Sequence, residues 1–243
     1  MGTDSENRLA IEVRGLNKAF GRVPVLRGLD LDVPWGEVLT VLGPNGSGKT
    51  TLIRTLGTLM RPDSGLIRVG GLDVARAGQA LRRTVGVVTH EPMLYDQLTG
   101  SENLMFVARM FGLDNVEERV HHSADRMGVT ARLDQRVSSM SHGLRKRFSI
   151  ARALLHDPLV LLLDEPESGL DQEALDLLED VVVGHAGASR AVLMTTHNLE
   201  RGLALGNRMA ILSRGRIAYH ESLDTLGTAA ARDAYARYTG VSA

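Results

Sequence analysis

The sequence of 243 residues contains no cysteine, which excludes disulfides and thiolate metal centres and leaves stability to hydrophobic burial. A chain of this length buries a full α/β core without cross-links. Freedom from cysteine fits a reducing compartment, so a cytoplasmic location is expected. Long apolar runs are also missing. No stretch approaches the roughly 18 to 20 apolar residues that span a bilayer, and Met1–Ala10 carries Asp4 and Glu6 in place of the apolar run of a signal peptide. Any membrane link is then expected to run through a partner. Finally, there is no surplus of charge: 28 basic and 29 acidic side chains give a formal net charge of -1. Affinity for a phosphate backbone calls for a basic excess, so no nucleic-acid partner is expected.

What is present is strongly patterned. Leu9–Val13, Val23–Val33 and Val38–Leu42 are short apolar runs broken by Gly15, Gly21, Gly28 and Pro34-Trp35-Gly36, and this alternation of apolar runs with turn residues reads as strands. Val38-Leu39-Thr40-Val41-Leu42 is almost continuously apolar, as a strand buried on both faces of a parallel sheet should be. A helix is expected over Lys49–Leu59. From Leu94 to about Ala153 the pattern turns helical, with a capping box at Thr99 and Glu102 followed by Leu104, Val107, Ala108 and Phe111 on one face. Beyond it, Leu159–Leu163, Val192–Thr195 and Met209–Leu212 alternate with helix-compatible segments, which implies a mainly parallel sheet. Ser222–Ala243 reads as a peripheral helix.

Two segments carry chemistry. Gly43-Pro44-Asn45-Gly46-Ser47-Gly48-Lys49-Thr50-Thr51 follows a strand and opens a helix. Its G-x-x-x-x-G-K-[ST] spacing lets backbone N–H groups curl around phosphate oxygens, with the helix adding its positive end. Lys49 would reach the β- and γ-phosphates of ATP, and Thr50 would ligate Mg2+. The second segment is Asp164-Glu165, at the end of the apolar run Leu159–Leu163. Consecutive strand-end carboxylates point in different directions, so Asp164 could hold the Mg2+ shell while Glu165 polarises the attacking water. A solvated strand end is the alternative.

Together with Ser141-His142-Gly143-Leu144-Arg145, Ser168-Gly169-Leu170-Asp171 and His197, these segments resemble the nucleotide-binding domains of ABC transporters over nearly the whole chain. The resemblance implies an α/β P-loop NTPase with a RecA-like core, an N-terminal antiparallel β-subdomain and an inserted helical subdomain. Residues 1–243 would form one ATP-binding domain, with the core at about 1–93 and 154–243 and the helical part at about 94–153. It further implies that Ser141 and Gly143 close over ATP held by the phosphate loop of a second subunit, in a head-to-tail dimer that is expected to be a homodimer. Asp171 would belong to the loop at that interface. His197 would bond the γ-phosphate and steady the water. Phe20 lies where the family stacks an aromatic on adenine, with a core phenylalanine as the alternative; Ser141 read alone is a helix N-cap.

Departures from the family pattern are informative. His142 and Leu144 stand where Gly and Gln are usual. His90, in Thr89-His90-Glu91-Pro92, replaces a Gln that reaches the metal or water and relays nucleotide state to the membrane subunits. An imidazole offers one hydrogen bond there, but protonation would place a cation beside Mg2+. His90, with Leu94–Thr99, Ser149–Pro158 and Thr195–Arg201, is similar to the haem exporter ATP-binding protein of cytochrome c maturation. That likeness implies integral membrane partners, attachment to the inner face of the cell membrane, and haem release driven by ATP. ATPases of drug, polysaccharide or lipid exporters share much of this pattern. A soluble ABC-type ATPase and a nucleotide-sensing module without hydrolysis are the readings from other classes. The near-neutral charge, the single phosphate loop and intact Lys49, Asp164, Glu165 and His197 weigh against them.

Overall fold

The structure, a computed structural model, describes residues 9–187 and 189–240. Of Met1–Ala10 only Leu9 and Ala10 fall among the described residues, and the C-terminal stretch is described as far as Gly240.

Strands β1 (Leu9–Phe20) and β2 (Val23–Pro34) pair antiparallel. β1 extends well past the Leu9–Val13 run read from the sequence, whereas β2 matches the Val23–Val33 run to within one residue. Gly15 and Gly28 sit inside the strands with φ of 58° and 66°, where the ladder slips between Val13 and Leu16 and again between Leu16 and Asn17. Side chains take up the loosened backbone donors: Gly15 N donates to Asp30 Oδ1 at 2.7 Å and Gly28 N to Asn17 Oδ1 at 2.8 Å. Glycine here marks bulges, because only it adopts this backbone without Cβ strain. With β4 (Ser64–Val69) and β5 (Leu72–Asp73) the first sheet has the order β2-β1-β4-β5.

The second sheet is built from β3 (Val38–Leu42), β6 (Val85–Val88), β7 (Val160–Asp164), β8 (Ala191–Thr196), β9 (Arg208–Ser213) and β10 (Arg216–Ser222), in the order β10-β9-β3-β8-β7-β6. All its pairings are parallel except the edge strand β10 on β9. Every residue of β3, β7 and β8 is buried, so alternate side chains feed two cores. Leu39, Val41, Leu162 and Leu193 pack with Ile11 and Leu31 of the first sheet and with Leu52 and Ile53 of α1 (Lys49–Leu56). On the opposite face Leu161, Leu163, Val192 and Met194 pack with Phe148 of α5 (His142–Leu154) and Leu178 of α6 (Gln172–His185). The sheet is thereby sandwiched, and its strand ends converge on one rim.

After α2 (Gly78–Thr84) and β6, the chain leaves the sheet for α3 (Gly100–Met110), α4 (Val116–Arg126), two short 3-10 turns and α5. Thr99 starts α3 with a capping box: its hydroxyl accepts from Glu102 N at 3.1 Å and its own N–H donates to Glu102 Oε2 at 2.8 Å. Such a cap is worth about 1 kcal/mol and fixes where the helical part begins. The C-terminal stretch forms α8 (Leu223–Leu226) and α9 (Thr228–Thr239). Tyr235 of α9 closes a third small core over Leu42 and Ile211, together with Leu199 of α7 (Leu199–Leu205). Among the described residues no helix is long and apolar enough to cross a membrane.

Candidate nucleotide site

The phosphate loop runs from the end of β3 to α1. Gly48 caps α1 with φ 113°, and a Cβ there would meet Leu26 Cδ2 at 2.8 Å. At Gly43 a Cβ would collide with the carbonyl oxygen of Leu212 and lie 2.8 Å from Ser47 Oγ. A side chain at either position would push the loop off the sheet. Pro44 O accepts from Ser47 N at 3.2 Å, which tightens the turn. The result is a cavity of about 260 Å³ lined by Asn45, Gly46, Gly48, Lys49, Thr50 and Thr51, with Val25 and Glu165 at its walls. Lys49 is 5% exposed, and its ammonium donates to Gly43 O at 2.7 Å and to Pro44 O at 3.4 Å. The Ser47 hydroxyl is buried with no hydrogen-bond partner.

The carboxylates enter from β7. Asp164 is 1% exposed; its Oδ1 accepts from Thr195 Oγ1 at 2.7 Å while its Oδ2 is buried without a partner. Glu165 has φ 44°, a left-handed backbone that a residue with a Cβ adopts at a cost of about 1 kcal/mol or more. Its N–H donates to Thr195 O at 3.1 Å. That turn aims the side chain back at the loop. Oε1 lies 3.5 Å from Lys49 Nζ and Oε2 lies 3.2 Å from His197 Nδ1, so Lys49, Glu165 and His197 form one chain of contacts. A buried, unpaired oxygen on Asp164 and the Thr50 hydroxyl are hard donors suited to Mg2+. No cluster of three or more His, Cys, Asp or Glu able to hold a metal exists among the described residues.

Two residues here escaped the sequence reading. Glu167 accepts a short hydrogen bond from Thr196 Oγ1 and keeps its other oxygen buried without a partner. Lys146, on α5, is 1% exposed, and burial pulls its pKa below the usual lysine value against the raising effect of Asp164, Glu167 and Glu165. Its signal was periodicity: Ser149, Ile150 and Ala153, at i+3, i+4 and i+7 from it, are all buried.

Ser141 and Gly143 lie elsewhere. Ser141 caps α5, its hydroxyl accepting from Leu144 N at 3.3 Å. With His142, Gly143, Gly169 and Asp171 it lines a second cavity of about 650 Å³. The His142 ring rests against Gly169, and Asp171 caps α6 by accepting from Ala174 N at 2.9 Å. The two cavities share no lining residue. One chain therefore does not bring Ser141, Gly143 or Asp171 to Lys49. His90 is exposed and makes no hydrogen bond or ion pair among the described residues. Phe20 is 50% exposed at the end of β1, opposite Val23. Its exposure removes the core alternative.

Two sheets, an inserted helical part and a phosphate loop facing strand-end carboxylates define a P-loop nucleotide hydrolase. The ABC transporter family profile matches residues 26–168, a span holding the phosphate loop, Ser141, Asp164 and Glu165 and stopping short of Asp171 and His197. This chain belongs to that family, as an ATP-binding, ATP-hydrolysing domain. It is similar to the daunorubicin/doxorubicin resistance ATP-binding protein DrrA of Streptomyces peucetius, at 38% identity over 86% of this chain; the match spans 64% of that relative's length. It also resembles the Nod factor export ATP-binding protein I of a Rhizobium strain, at 34% identity over 86% of this chain and 70% of that one. A solved ATP-binding subunit of an ABC transporter superposes with a TM-score of 0.83 at 28% identity, covering 96% of this chain and 95% of that one.

Proposed function

We propose that this chain energises an ABC-type exporter by hydrolysing ATP at sites completed between two copies of itself. The observation that carries the reading is the contact chain Lys49–Glu165–His197, at 3.5 and 3.2 Å, on the wall of the phosphate-loop cavity. Lys49 would release the loop carbonyls to bind the β- and γ-phosphates, with the loop N–H groups cradling the rest. Thr50 and Asp164 would hold Mg2+, whose chemistry there is to neutralise phosphate charge. Glu165, oriented by His197, would accept the proton of the attacking water. Because Ser141 and Gly143 line a separate cavity, they would act on nucleotide held by the second copy, in the head-to-tail arrangement.

Transport coupling is supported by a separate apolar groove of about 290 Å³, lined by Leu59, Met93, Met110 and Phe111 between the sheet and the helical part. Leu59, Met93 and Met110 are exposed, Met110 at 66%. Together with family membership this favours a cytoplasmic segment of a membrane subunit as the occupant. For the cargo, the names of the relatives favour drug-like or Nod-factor-like molecules. Haem export in cytochrome c maturation is a second reading, favoured by His90 and the segment around it.

The decisive variant is Glu165→Gln. It should bind ATP with near-normal affinity and lose hydrolysis by about 100-fold or more, the usual contribution of a general base. Normal turnover in this variant would sink the assignment, and a wild-type chain that never co-purifies with a membrane protein would sink the coupling.

A further inference from the structure

Lys146 is among the largest side chains less than 2% exposed in the described residues. A buried ammonium costs several kcal/mol unless its surroundings repay it, and methionine would fill the same space on α5 more cheaply. Repayment comes from two directions. Lys146 Nζ donates to Thr89 O and to Asp164 O, each at 3.3 Å, and Asp164, Glu165 and Glu167 surround it with negative charge. Its two hydrogen bonds therefore hold main chain at two different places. Thr89 follows β6 and directly precedes His90, while Asp164 ends β7 and directly precedes Glu165. The lysine itself belongs to the helix that Ser141 caps, five residues on, or roughly 7.5 Å along the axis.

We propose that Lys146 is a positioning residue that ties the helix behind Ser141 and Gly143 to the backbone at His90 and at Asp164-Glu165, so that a pull on that helix by a second copy's nucleotide reaches the hydrolytic carboxylates. The idea rests on the proposed function and adds to it a mechanical link inside one chain. Rigid helices transmit displacement well, and a misplacement of about 1 Å at reacting groups is enough to cost about 100-fold in rate. The loop that carries Lys49 takes no part in these bonds, so nucleotide affinity should be spared.

The test uses the full chain with Lys146→Met, Lys146→Arg and Lys146→Gln, reading ATP affinity with a fluorescent ATP analogue, steady-state kcat, and thermal melting. Lys146→Met should keep its Kd within about twofold of wild type while kcat falls at least about tenfold, and Lys146→Arg, which retains charge and donors, should recover kcat to within about threefold. If Lys146→Met does not fold, Lys146→Gln carries the same expectation. Combining Lys146→Met with His90→Ala should be no more than about threefold slower than the worse single variant, because both act along one connection. Overturning results are an unchanged kcat in Lys146→Met, a parallel loss of affinity, melting temperature and rate without rescue by arginine, or multiplicative losses in the double variant. A wild-type chain without ATPase activity, or a fully active Glu165→Gln, would remove the proposed function as well. Normal controls with an unaffected Lys146→Met would remove only this link.

Discussion

Replacing Phe20 by alanine separates the expected adenine contact from the fold. The ring is half exposed, at the last residue of β1, and pairs across the hairpin only with Val23, itself exposed. No core contact is lost on truncation, so unfolding free energy should change by less than about 0.5 kcal/mol. The nearby Lys18 ammonium, 5.9 Å from the ring centroid, contributes little at an exposed site and keeps its ion pair with Asp63 at 2.7 Å. A base stacked on an aromatic ring is worth about 1–3 kcal/mol by alanine substitution. A hairpin tip offers one ring face and stays wet, which places Phe20 near the low end, at about 1–1.5 kcal/mol. The dissociation constant for ATP should therefore rise about five- to twelvefold. Titration calorimetry with ATP, GTP and inorganic tripolyphosphate resolves the cause: both nucleotides should weaken, since each base has a stacking face, and tripolyphosphate should not. An ATP affinity within twofold of wild type would refute the stacking assignment. So would an equal loss for tripolyphosphate, which has no base to stack.

Two further changes probe the folded state. Burial, with help from Arg190 and Arg126, pushes the His185 imidazole down to about 4. Between that value and the ordinary histidine value near 6.5 the unfolded chain binds a proton that the folded chain refuses, so stability should fall with falling pH across this window, by up to about 1.4 kcal/mol per unit. His185→Leu should flatten the dependence of melting temperature on pH between 7 and 5, in part only, because burial also lowers His156 and His220; an unchanged slope would contradict the assignment. Thr195→Val removes the hydroxyl that donates to buried Asp164 at 2.7 Å. It should cost about 1–3 kcal/mol in urea unfolding at constant m-value, and a loss below about 0.5 kcal/mol would show that the bond contributes little.

How far the sequence speaks depends on what each residue answers to. The run Val38–Leu42 and the glycines after it are legible because burial on both faces and close backbone packing admit few residue types. Gly15 misled because a glycine with positive φ reads alike at a strand's end and at a bulge within it; only the partner strand decides. β10 went unseen because its edge position tolerates polar residues such as Arg216, His220 and Glu221, which blur the alternation. Lys146 was hidden by its type, since a helical lysine normally faces water. The separation of Ser141 from Lys49 within one chain was implied only by the family resemblance, because distance between loops is a property of topology rather than of local pattern.

The backbone at Glu165 sets two selective pressures against each other. A glycine in its place would relax the φ of 44° and recover about 1 kcal/mol, so a library screened for heat tolerance alone should enrich glycine at position 165. The survivors would be sturdier proteins that have discarded the proposed base. Attempts to harden this domain should hold position 165 fixed and look for stability elsewhere.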